Sequence, residues 1–176
     1  MSAIISPCGN YRYRLEREVP APNPDGPLRG KVVAFFGINP STADADVDDA
    51  TVRKWRGFCQ RWGVARFIVG NVFAYRATDV KELATAVLNQ KENLRHQWRI
   101  AKDADIFVPC WGSRDKLPRE LHSDLDDVLH KLLQECKPVM TFGLTASGDP
   151  KHPLMLGYDT KLQLLAKLRA AAQKGQ

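Results

Sequence analysis

Four short apolar runs limit what this chain can become: KVVAFFGI (Lys31–Ile38), RFIVGNVF (Arg66–Phe73), DIFVPCWG (Asp105–Gly112) and PVMTFG (Pro138–Gly143). Each is a few residues long, rich in β-branched or aromatic side chains, and apolar at successive positions. That pattern suits strands covered on both faces of a sheet. Helical patterns separate the runs. Val52, Trp55, Phe58, Cys59 and Trp62 fall on one helical face between Thr51 and Trp62. One or two helices fit Asp79–Lys102. Leu125, Val128, Leu129, Leu132 and Leu133 form a stripe from Ser123 to Cys136, with Ser123 as its N-cap, and a last amphipathic helix fits Leu162–Ala172. Strands alternating with helices imply a three-layer α/β/α fold around a central four-stranded parallel sheet.

Two segments lie outside that alternation. YRYRLEREV (Tyr11–Val19) has the period-two pattern of a half-exposed strand, and PAPNPDGP (Pro20–Pro27) is too proline-rich for a regular element. Residues 1–30 are therefore expected to form an N-terminal extension carrying a strand or hairpin, with 31–156 the core and 157–176 a C-terminal helix. The chain of 176 residues, 44% hydrophobic, suits one domain, 1–176.

No apolar run approaches the ~20 residues of a membrane span, and the N-terminus reads as no signal peptide. Cys8, Cys59, Cys110 and Cys136 are scattered without a close pair, so the expectation is reduced thiols, mostly buried, and no metal. Together these point to the cytoplasm. The net charge of +6 permits an anionic partner without requiring one. Arg53, Lys54, Arg56 and Arg61 cluster, and the tail beyond Asp159 holds Lys161, Lys167, Arg169 and Lys174 with no acid.

In a parallel α/β sheet, ligands bind beyond the carboxyl ends of the strands. The unusual residues of this chain fall there. Gly37 permits close approach, Pro40 stiffens the turn, and Asn39 between them both donates and accepts hydrogen bonds. Ser41 and Thr42 add hydroxyls, which equally suit a strand-to-helix turn capped by Ser41, Thr42 or Asp44. Asn71 ends the second run, where a buried amide needs a partner and where an amide facing a cleft can read a nucleobase edge. Trp111 ends the third run and fits a core role as well as stacking. His152 lies in a loop beside Pro153, followed by Leu154, Met155 and Leu156, which either fold inward or form a wedge into a base stack. His96, His122 and His130 read as surface residues.

These four strand ends, in order, resemble the uracil-DNA glycosylase superfamily. GINPST is similar to the water-activating turn, G-Q-D-P-Y-H in the uracil-specific branch and G-I-N-P-G in the mismatch-specific branch. FIVGNVFAYRA resembles the strand whose Asn reads the pyrimidine, FVPCWGSRDK the strand ending in L-W-G-S, and KHPLML the H-P-S-P-L-S loop. The likeness spans roughly Lys31 to Leu156. A closer likeness, to an uncharacterised bacterial and phage family with an N-P-S-T-A-D signature, implies no function.

The resemblance implies a DNA glycosylase-like hydrolase that flips a pyrimidine and breaks its N-glycosidic bond, in DNA repair or DNA modification, without metal or cofactor. DNA, single-stranded or modified, is the implied partner. Asn39 would orient water and His152 would stabilise charge on the leaving base. Gly37, Ile38, Ser41, Asn71 and Phe73 would line the base. Leu154 or Met155 would wedge into DNA, with Arg76 and Lys151 contacting it. Two departures bear on this. Asn39 is neutral and a poor general base, so Asp46, Asp48 or Asp49 could supply an acid, although an acidic, solvated helix start explains them as well. Ser41 stands where the uracil-specific branch has a bulky Tyr, which leaves room for a mismatched thymine or a 5-modified base. Two other readings stay open: a phage-type nucleotide- or base-modifying protein reusing the pocket, and a non-catalytic nucleic-acid-binding module.

Overall fold

The computed structural model describes residues 1–41 and 43–174; Thr42 and the last two residues of the expected C-terminal helix lie outside the described residues. In chain order the elements are β1 (Ser2–Ile5), β2 (Arg12–Glu18), β3 (Val32–Gly37), α1 (Ala50–Trp62), β4 (Arg66–Asn71), α2 (Gln90–Asp103), β5 (Ile106–Pro109), α3 (His122–Gln134), β6 (Met140–Thr141), β7 (Gln163–Leu164) and α4 (Leu165–Lys174). Short 3₁₀ turns occupy Val80–Ala84, Arg114–Lys116 and Arg119–Leu121. No helix among the described residues is long and apolar enough to cross a membrane.

The main sheet is five-stranded and mixed, in the order β1-β2-β4-β3-β5. β3 pairs in parallel with β4 and with β5, whereas β2 pairs antiparallel with both β1 and β4. Within this sheet three strands, β4, β3 and β5, run parallel to one another. The fourth apolar run joins β5 through one parallel bridge, Phe107 to Val139, and its next residues pair antiparallel with β7. Pro138 lacks an N–H, so it enters the edge only as an acceptor, from Phe107 N–H at 3.0 Å.

The apolar runs alternate between two cores. Val33, Phe35, Phe67 and Val69 face α1, where Phe35 stacks on Trp55 at 5.1 Å. Ala34, Phe36 and Ile68 face Ile100 and Ala101 of α2 and Leu125 and Val128 of α3. Both faces of the sheet are thus covered by helices, which is why these runs lack a polar alternation. α1 begins at Asp49, whose carboxylate accepts from Val52 N–H at 2.8 Å, and ends at Gly63 in the left-handed region. Ser123 does not cap α3; it lies inside the first turn, with Leu121 at the cap position.

β2 departs most from its sequence pattern. Residues 1–30 supply a hairpin that forms part of the central sheet, and β2 is largely buried although five of its seven residues are charged. The alternation misled because the arginines are buried among acceptors. Arg14 pairs with Glu16 and with Asp103 at 2.7 Å, and Arg17 pairs with Asp48 at 2.6 Å. His96, expected at the surface, is buried and stacks on Tyr13 of β2 at 4.8 Å. Two cysteines are buried and two exposed; burial pushes the Cys59 thiol well up and the Cys110 thiol up to about 12.

Candidate functional site

β3, β4 and β5 end level with one another, because Gly37 is the register partner of Asn71 and Phe36 that of Pro109. Beyond these ends lies a cavity of about 370 Å³. That is within the range of small-molecule sites, roughly 300–1,000 Å³. Asn39, Asn71 and His152, distant in sequence, all line it. So do Gly37, Ile38, Ser41, Asp49, Leu154 and Met155.

Each of these side chains is fixed by identifiable contacts. Asn39 Nδ2 donates to the carbonyls of Ala77 at 2.8 Å and Pro40 at 3.0 Å, which commits its donor end to the loop. Among the described residues nothing donates to Asn39 Oδ1, so the acceptor end is available to a ligand. Asn71 is only 3% exposed, yet its Nδ2 has no hydrogen-bond partner. Its backbone is held from α2: Gln97 Nε2 donates to Asn71 O at 2.7 Å, and Asn93 Nδ2 donates to Val72 O at 2.8 Å. A methyl group on Gly37 would sit 3.1 Å from Asn71 Oδ1, so glycine is what leaves the amide its place.

His152 sits on a loop tied to the end of β5. Gly112 N–H donates to Pro150 O at 2.8 Å. Buried Asp149 accepts from Arg114 N–H and from Arg114 Nε, both at 2.9 Å, and Arg114 also grips Asp126 with its two terminal nitrogens. These carboxylates hold the Arg114 guanidinium more firmly protonated than usual. Gly112 has φ +82°, and a Cβ there would lie 3.3 Å from His152 Cβ. Burial, then the nearby Lys116 charge, lowers the His152 pKa below its ordinary 6.5. Its Nδ1 accepts from Leu154 N–H at 3.4 Å, so the neutral ring carries its proton on Nε2. A neutral imidazole donor results.

Four of the named residues lie off the cavity wall; of these, Arg76 and Lys151 are expected to contact DNA rather than the base. Phe73 is fully buried in the α2–α3 core, since the chain after Asn71 continues along Ile38, with Phe73 N–H donating to Ile38 O at 2.8 Å. Arg76 donates to Ser41 O at 3.4 Å and Gly9 O at 3.3 Å and braces the turn from outside. Lys151 is exposed and runs over Gly143. Asp48 is taken up by ion pairs with Arg17 and Arg56; burial pushes its pKa up, but these arginines outweigh that and hold it below the ordinary range. Of the suggested acids, Asp49 lines the cavity while also capping α1. The basic cluster is likewise engaged: Lys54 and Arg61 lie over the Tyr158 ring at 4.1 and 4.0 Å.

The sequence reading missed Arg12, Thr51, Trp55, Val80, Ser113 and Lys116, all on the cavity wall. Trp111 proves to be both core and wall: it is buried in the α2–α3 cluster, yet its Nε1 lacks a partner. A buried cation, buried N–H groups without acceptors, an imidazole donor and two exposed apolar side chains on one cavity make a site suited to an acceptor-rich planar ligand.

A mixed α/β sheet with a cavity at its parallel strand ends defines the class: an α/β protein with a cavity where ligands bind in such sheets. A family model described as "Protein of unknown function (DUF1643)" matches residues 12–154, and the chain belongs to that family. The match takes in every residue of the cavity wall but Met155. No curated protein and no solved structure matches the chain.

Proposed function

We propose that the cavity receives one pyrimidine flipped out of DNA and that the protein hydrolyses its N-glycosidic bond. The carrying observation is the convergence of Asn39, Asn71 and His152 on one cavity of about 370 Å³, roomy enough for a pyrimidine, with Leu154 and Met155 on its wall. Leu154 and Met155, adjacent in the loop and 42% and 91% exposed, put two apolar side chains side by side on the cavity wall, as a wedge into a base stack requires. In this reading the extended edge at Val139–Thr141 stands for the fourth parallel strand of the glycosylase layout.

The chemistry follows from the free atoms. Asn71 Nδ2 donates to a base carbonyl and its Oδ1 accepts a ring N–H. As the C1′–N bond breaks, its electron pair moves into the base and onto a carbonyl oxygen. His152 Nε2–H donates to that oxygen without transferring its proton. A water hydrogen-bonded to Asn39 Oδ1 attacks C1′ and loses a proton to solvent or to Asp49, whose Oδ2 carries no hydrogen bond among the described residues. A neutral Asn39 cannot take that proton itself, so turnover is slow.

The test is abasic-site formation on oligonucleotides carrying uracil, mismatched thymine or a 5-modified pyrimidine, beside Asn39→Ala and His152→Ala. Base release by the native protein, lost in both variants, supports the reading. DNA binding without any release, unchanged in the variants, contradicts it.

A further inference from the structure

Arg12 is a charged cavity residue that the base-reading constellation does not use. It comes from β2, outside the segment that resembles the glycosylases, and is 3% exposed. One terminal nitrogen donates to Ala43 O at 2.6 Å, which anchors the guanidinium beside the turn that holds Ser41. Its Nε has no partner, and no carboxylate among the described residues lies within ion-pair distance of it. Burial lowers its pKa to about 10, so it remains a cation near neutrality; Asp49 and Asp44 support the charge, whereas Arg76 and Arg17 oppose it. Asp49 lines the same cavity but spends Oδ1 on the α1 cap. Lys116 adds a second positive charge to the wall.

A buried charge without its counter-charge costs stability unless something neutralises it. The buried unpartnered atoms on this wall include Arg12 Nε, Asn71 Nδ2 and Trp111 Nε1, all N–H donors. What they lack is acceptors, and what Arg12 lacks is negative charge. From this juxtaposition we infer that the Arg12 side of the cavity is an anion subsite, and that the ring bound there carries a carboxylate or phosphate group reaching toward Ser41 and Arg12. The inference rests on the base-pocket reading and narrows it: the small Ser41 gives room for a substituent, and Arg12 selects an anionic one. Two sources share that chemistry, an acidic group on the ring itself and the phosphate of a free nucleotide.

Calorimetric titration of the full chain with uracil, 5-carboxyuracil and dUMP separates them. A charge-assisted hydrogen bond to a buried guanidinium corresponds to a preference of about tenfold or more for an anionic probe over uracil. Arg12→Gln should abolish the preference of the anionic probe over uracil, and Arg12→Lys should restore part of it. Tight 5-carboxyuracil assigns the anion to the ring, and tight dUMP assigns it to the nucleotide. If Arg12→Gln does not fold, Lys116→Gln decides: it should weaken the anionic probe more than uracil. Equal affinity of the native protein for all three probes overturns the anion subsite and leaves the base pocket standing. Binding of none of them overturns both.

Discussion

Two buried arginines on one strand have opposite surroundings. Arg17, fully buried, donates to Asp48, to the carbonyls of Glu16 and Ser2, and to that of Asp44. Its partner Asp48 is gripped again by Arg56. Arg12, five positions earlier on β2, has one carbonyl and a cavity. Similar burial with such different satisfaction distinguishes a group that holds the fold from one that waits for a ligand. Buried polar groups are nearly always paired, so a departure concentrated on a single wall marks a site.

The sharpest way to break this comparison is to remove each charge in turn. Arg17→Met removes one of the two arginine partners of Asp48 and leaves several carbonyls without a donor, and should cost about 3–5 kcal/mol in denaturant unfolding. Arg12→Met should cost about 1 kcal/mol or less, since it also removes an unsatisfied N–H. Equal losses would erase the distinction.

Next in size, His152→Ala should lower base release by about a hundredfold, the scale of one lost oxyanion donor, while changing the unfolding midpoint little. Gly37→Ala tests positioning. The new methyl presses on Asn71 Oδ1, so base affinity should fall by about tenfold with Asn71 itself intact. Retained affinity would mean that Asn71 does not read the ligand.

The smallest effect is on pH dependence. His152 and His96 both have pKa values lowered chiefly by burial, so the unfolded chain binds protons more readily than the folded one. Their contribution is fully present above 6.5 and is lost as pH falls below it. His152→Gln should flatten that slope in part, leaving the remainder to His96. Asp48 acts lower: its carboxylate stabilises the fold above the ordinary 3.8, and that contribution fades as pH drops through its depressed value.

Much of this arrangement was legible in the sequence. Apolar runs of strand length gave β3, β4 and β5, because a strand covered on both faces leaves no room for polar alternation. The polar residues just past those runs came together because parallel strands end on one side. What stayed hidden depended on partners far along the chain. Arg12 and Arg17 look alike in YRYRLEREV, and only Asp48 and Ala43, brought in by the turn before α1, tell them apart. Phe73, placed on the base by the resemblance, is not there, since the chain runs along Ile38 and turns the ring into the core. Asn93 and Gln97 did leave a signal, two amides spaced i, i+4 on the inner face of α2, which anchor the end of β4.

The central claim is that Asn39, Asn71 and His152 hold a single ring together. Nuclear magnetic resonance of the side-chain amides and the imidazole during titration with 5-carboxyuracil tests it most directly. All three sets of signals should move along one isotherm, with the Asn71 amide protons shifted farthest as Nδ2 gains its missing acceptor. Signals that stay still, or that move at separate ligand concentrations, would contradict the account.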